Sequence, residues 1–155
     1  MSHPSSRIYG LLLALAFVSP LLASAVENGP GRFEAAGLDD AEVRQFLQSF
    51  QDAVKSRRAD RVVGLVEFPL QVNLCKGSQT LQRKDFTRRF PSVFDARISE
   101  AIRKQTFEDL FTNSQGVMIG DGEVWFSGIC EGTAADDDPC SKHRIRVITV
   151  NKGCP

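Results

Sequence analysis

The stretch Gln115-Gly-Val-Met-Ile-Gly-Asp-Gly-Glu-Val-Trp-Phe-Ser-Gly128 decides the fold class of this chain. Two apolar runs flank Asp121-Gly122. Asp-Gly between such runs predicts a two-residue type I′ turn, which needs positive φ at both central positions. The hairpin strands are expected over residues 115–119 and 123–130. The second carries Trp125, the only tryptophan in the sequence. Along it Val124, Phe126 and Gly128 share one face, and Glu123, Trp125, Ser127 and Ile129 the other. A polar loop over 131–139 leads to a last strand over 144–150.

Upstream of the hairpin the periodicity turns helical. Asp39 with Glu42 three residues on resembles a capping box. From there Val43, Phe46, Leu47, Phe50 and Val54 fall on one helical face, so a helix is expected to end near Ser56. Burying these side chains contributes ~1.5–3 kcal/mol each before conformational entropy is set against it. Asp60 is expected to cap a short helix over 61–67 that Pro69 stops. Leu70 to Cys75 alternates with period two: Leu70, Val72 and Leu74 on one face, Gln71, Asn73 and Cys75 on the other. Lys76-Gly-Ser-Gln79 follows as a turn. Residues 83–90 predict a helical turn or two stopped by Pro91. Ser92 then caps a helix that presents Phe94, Ile98, Ala101 and Ile102 on one side. Residues 106–111 read as one more turn. Helices gathered early and strands gathered late give an α+β fold. The expectation is a bent antiparallel sheet with the N-terminal and middle helices packed on its concave face.

The N-terminus reads as an export signal. Arg7 precedes the apolar run Ile8 to Val18, Pro20 breaks it, and Ala23-Ser24-Ala25 is a small-residue cleavage site. The run is shorter than the ~20 apolar residues that span a bilayer, so no membrane span is expected after cleavage. The chain then divides into a signal peptide (1–25), a flexible leader (26–37) and one domain (38–155), with a periplasmic or secreted location. Lysine plus arginine and aspartate plus glutamate each number 19 in the 155 residues, for zero formal net charge. That balance argues against nucleic acid as a partner. Cys75, Cys130, Cys140 and Cys154 are an even set in an exported chain, which implies two disulfides in one of three connectivities. The pairing favoured is Cys130–Cys140 with Cys75–Cys154. Zinc is the rival use, but no ligand spacing supports it and no metal site is expected.

The runs Phe46 to Val54, Val66 to Asn73, Phe86 to Phe90, Gln115 to Gly128 and Arg146 to Asn151 together resemble small exported proteins of the NTF2-like (cystatin-like fold) superfamily. The resemblance covers most of residues 40–151. It implies a cone-shaped cavity between sheet and helices, and often a homodimer through the sheet's outer face. Fold alone does not fix function. If such a pocket exists, Trp125, Asn73, Gln71, Phe94 and Met118 are its candidate lining. Isomerase-like members of the superfamily use a buried tyrosine, and the only tyrosine here is Tyr9, in the signal peptide. Dehydratase-like members rely on histidine, and only His143 remains after cleavage. No nucleophile motif is present, and Asp136-Asp-Asp138 lacks calcium-loop spacing. No catalytic residue and no cofactor are assigned. Basic residues at Arg57, Arg58, Arg61, Arg83, Lys84, Arg88 and Arg89 sit at element ends, as solvated termini or as contacts to an anion.

The reading is therefore a non-enzymatic exported domain that binds a small molecule or an envelope protein. The alternatives are a lyase or isomerase using Asp and His groups in the cavity, or an inhibitor- or immunity-type interaction protein.

Overall fold

A computed structural model describes residues 31–132, 140 and 142–154. The proposed signal peptide and the Asp136–Asp138 loop lie outside the described residues. The first long element, α1 (Asp40–Lys55), follows the apolar spacing: Val43, Phe46, Leu47, Phe50 and Val54 are buried, and Ala53 joins them. Asp39 caps it in a full capping box with Glu42. A short α2 (Ala59–Val62) follows, then β1 (Val66–Asn73), β2 (Ser78–Leu81), α3 (Phe86–Val93) and α4 (Ala96–Lys104). The chain ends in β3 (Phe111–Asn113), β4 (Gly116–Ile119), β5 (Val124–Cys130) and β6 (His143–Asn151).

The six strands form one sheet in the order β2-β1-β6-β5-β4-β3. The α+β class holds, but the sheet is mixed rather than antiparallel. β6 inserts between β5, to which it is antiparallel, and β1, to which it is parallel. Nothing local in the sequence encodes that pairing, because β1 and β6 are joined through all the intervening elements. Two strands were not expected: β2 occupies part of the anticipated turn after β1, and β3 follows the anticipated turn over 106–111, which the Leu110 N–H closes onto the Phe107 carbonyl.

Other boundaries move for identifiable reasons. Asp60 lies inside α2 rather than capping it. Pro69 does not stop a helix but sits within β1. It falls in the irregular stretch between the Val66 and Gln71 pairings with β6, where a missing N–H removes no regular ladder bond. Pro91 lies inside α3, and Asp95 rather than Ser92 caps α4, accepting from the Ile98 N–H at 3.1 Å. Asp121-Gly122 is not a two-residue type I′ turn. Positive φ falls on Gly120 (65°) and Gly122 (106°). The Glu123 carboxylate accepts from the Asp121 N–H at 2.7 Å, while the Gly120 N–H donates to Gln105 Oε1 at 2.6 Å. The tip is thus a wider loop moored to the end of α4.

The segment expected as a flexible leader is docked from its described start. Phe33 is fully buried, and Arg32 donates to the carbonyls of Phe107, Glu108 and Leu110. The cysteines pair as Cys75–Cys154 and Cys130–Cys140, with Cα separations of 4.4 and 4.7 Å. Among the described residues no helix is long and apolar enough to cross a membrane.

Candidate functional site

Strand periodicity sends Gln71, Asn73, Met118 and Trp125 to the sheet's outer face, away from the core residues Leu70, Val72, Val117 and Phe126. Cross-strand register strings Phe111, Met118, Trp125, Thr149, Gln71 and Thr80 into one row that crosses all six strands. One end of the row is apolar. Phe111 is 50% exposed and meets Trp125 edge-on, with ring centroids 6.4 Å apart. The other end is polar and tied by amides: Gln71 Nε2 donates to Asn73 Oδ1, and Asn73 Nδ2 donates to Asn151 Oδ1. Asn151 Nδ2 in turn donates to the Gly122 carbonyl at the hairpin tip. This surface sets its side chains next to one another across six strands, an arrangement that suits a broad contact.

The inner face of the sheet is covered. Phe46 packs on Phe126 at 4.8 Å, and Phe50, Phe86, Phe90 and Phe94 continue the cluster behind it. No polar or charged side chain is buried among the described residues.

A concavity of about 600 Å³ opens elsewhere, among the helices. The C-terminal half of α1 supplies Gln51, Val54 and Lys55 to it, with Arg57 just beyond the helix. α3 supplies Phe90 and Pro91. Phe94, Asp95, Ala96, Ser99, Glu100 and Arg103 complete the lining from the start and outer side of α4. Val54, Phe90 and Phe94 are buried and form an apolar floor, with the two rings stacked 5.3 Å apart. Gln51 holds the walls together: its Nε2 donates to the Ile102 and Gln105 carbonyls, satisfying the otherwise open C-terminal end of α4. The Ser99 hydroxyl donates to the Phe94 carbonyl at 2.9 Å.

The charges around this cleft are unequally matched. Glu100 pairs with Arg103 and Lys104, and these hydrogen bonds hold its carboxyl below the usual value. Burial pushes the Asp95 carboxyl up. Hydrogen bonds from Lys152 and the Ile98 N–H, with the Lys152 charge, outweigh that and leave it lowered. Lys55 and Arg57 make no ion pair among the described residues. Arg57 is also the only non-glycine residue with positive φ among the described residues, at 54°. It follows the C-cap residue Ser56 of α1, a position where glycine is usual; a side chain there costs on the order of 1 kcal/mol. Ser56 supports the turn by donating from its hydroxyl to the Ala53 carbonyl.

No family model, curated protein or solved structure matches the chain.

Of the five pocket candidates, only Phe94 lines the cleft; Trp125, Asn73, Gln71 and Met118 lie together on the opposite side of the sheet. The structure therefore separates them into two surfaces. His143 sits at the start of β6, its Nε2 3.2 Å from Glu42 Oε2, and so ties β6 to the first turn of α1. No metal-holding cluster of His, Cys, Asp and Glu occurs among the described residues. Gln51, Lys55, Ser99 and Arg103 were not singled out from the sequence. The one available signal was at Arg57, where the helix ends without the glycine its C-terminal turn favours. Of the other basic residues at element ends, Arg58 pairs with Asp60, Arg88 with Asp85, Arg89 donates to Gln79 Oε1, and Arg83 lies over the Phe68 ring at 4.7 Å.

Proposed function

We propose that this chain is an exported domain of NTF2-like type that binds a small molecule without transforming it, and that the helix-walled cleft is the binding site. The supporting observation is the cleft itself: about 600 Å³, within the size range of small-molecule sites, with an aromatic floor and a few polar groups at its mouth. Helices packed on a six-stranded sheet, with the last four strands following the last helix, agree with the NTF2-like resemblance. Two disulfides agree with residence in an oxidising compartment such as the periplasm or the extracellular space.

Native mass spectrometry of the oxidised protein, purified from its natural compartment, tests this. A retained adduct is expected on the wild type and is lost in Ala96→Trp, which fills the mouth from an exposed lining position. An adduct that survives this substitution places the ligand elsewhere.

One observation favours a second reading, an inhibitor- or immunity-type interaction protein: the apolar end of the outer row, where Phe111 stands half exposed beside Trp125. It predicts a stoichiometric protein complex that Phe111→Ala weakens and Ala96→Trp does not.

A further inference from the structure

Resting on the cleft as a small-molecule site, we propose that its ligand is an amphipathic carboxylate, with its apolar body on Phe90 and Phe94 and its anion held by Lys55 and Arg57.

The argument is one of charge balance. Two carboxylates line the cleft, and both are committed: Glu100 to Arg103 and Lys104, Asp95 to Lys152 and the α4 N-terminus. That leaves two lining cations, Lys55 and Arg57, without an ion pair among the described residues. An apolar amine would meet both at the mouth and find each lining carboxylate already occupied. A neutral apolar molecule would leave them solvated and gain nothing from them. An anion completes them, and a carboxylate matches the planar fork of a guanidinium.

The backbone at Arg57 points the same way. The residue after the α1 C-cap takes a left-handed conformation that glycine adopts at no steric cost. Its side chain is exposed rather than packed in the core, so core packing gives no reason for arginine here. Strained backbone concentrates at sites where the side chain has a task. The position of Arg57 on the cleft lining identifies that task as ligand contact.

The test uses the oxidised protein with three probes of one chain length: octanoate, 1-octanol and octylamine. Calorimetry gives affinity, and the amide resonances of Gln51 and Ser99 locate binding in the cleft. Octanoate is expected to bind about tenfold or more tighter than octanol, with octylamine the weakest. Arg57→Gly combined with Lys55→Gln should bring octanoate down to the octanol affinity and leave octanol unchanged. Arg57→Lys should keep most of the preference. Arg57→Gly alone should raise the melting temperature while weakening octanoate.

Equal binding of octanoate and octanol at the cleft overturns the anion assignment and leaves the cleft as a binding site. If neither probe moves the Gln51 and Ser99 resonances, both the assignment and the cleft reading fall. An Arg57→Gly variant that melts higher with octanoate affinity intact removes Arg57 from the site.

Discussion

The two faces of the sheet are made from alternate residues of the same strands, yet they meet opposite environments. Phe126 and Trp125 are neighbours in β5. Phe126 is fully buried against Phe46, whereas Trp125 stands half-buried on the outer face beside Phe111 and Met118. The inner face is apolar and covered by helices. The outer face grades from aromatic at β3 to amide at β1. A strand with period two serves both without compromise, because changing one face leaves the packing of the other in place. The inner face then carries stability, and the outer face is available for contact.

Substitutions on either face test that division. Phe126→Ala should cost about 3–5 kcal/mol in urea-unfolding free energy, since it opens a void inside the phenylalanine cluster. Asn151→Ala should cost about 1–2 kcal/mol, because it breaks the bonds to Asn73 and Gly122 that hold the outer amide row. Paired with Asn73→Ala, its effect should be less than additive in a double-mutant cycle. Trp125→Ala should cost less than about 1 kcal/mol, within the range of surface substitutions. A loss comparable to that of Phe126→Ala would mean that the outer row is structural and would end the comparison.

The smallest effect is electrostatic. Asp95 keeps its charge to lower pH in the folded protein than in the unfolded chain, so its contribution is complete above the ordinary carboxylate range. It is lost as pH falls through the lowered folded value. Solvent screening limits it to on the order of a few tenths of a kcal/mol, as more than a third of the side chain is exposed. Asp95→Asn retains an N-capping side chain and removes the charge. Its stability should therefore fall less steeply with acidification than that of the wild type, as read from chemical melts below neutral pH.

The sequence made legible what is local and periodic. The spacing Val43-Phe46-Leu47-Phe50-Val54 and the Asp39/Glu42 box specify α1 with its buried face and its cap. The alternation around Trp125 specifies which residues share a face, although not which face meets the core. Short polar segments carry no such signal. Ser78-Gln-Thr-Leu81 is a strand only because β1 pairs with it, and Phe111-Thr-Asn113 only because β4 does. Arg32 reaches carbonyls 75 to 78 residues away, so no local pattern announces that the leader is docked. The cleft was hidden for the same reason: its floor exists only where α1 meets α3 and α4. Phe94 was expected on a helix face but sits in the bend between α3 and α4, and its partners across the cleft had no local signal.

The central position of β6 governs the order in which the molecule is completed. During synthesis the hairpin of β1 with β2 and the meander of β3, β4 and β5 each close through contacts between near neighbours in the chain. Neither half touches the other through backbone pairing until the strand ending at Asn151 arrives to sit between them. Cys154, three residues past that strand, then seals the seam to Cys75. Of the six strands, the last in chain order is the keystone. A nascent chain halted short of it exposes two unpaired inner edges, those of β1 and β5, to whatever strand comes first.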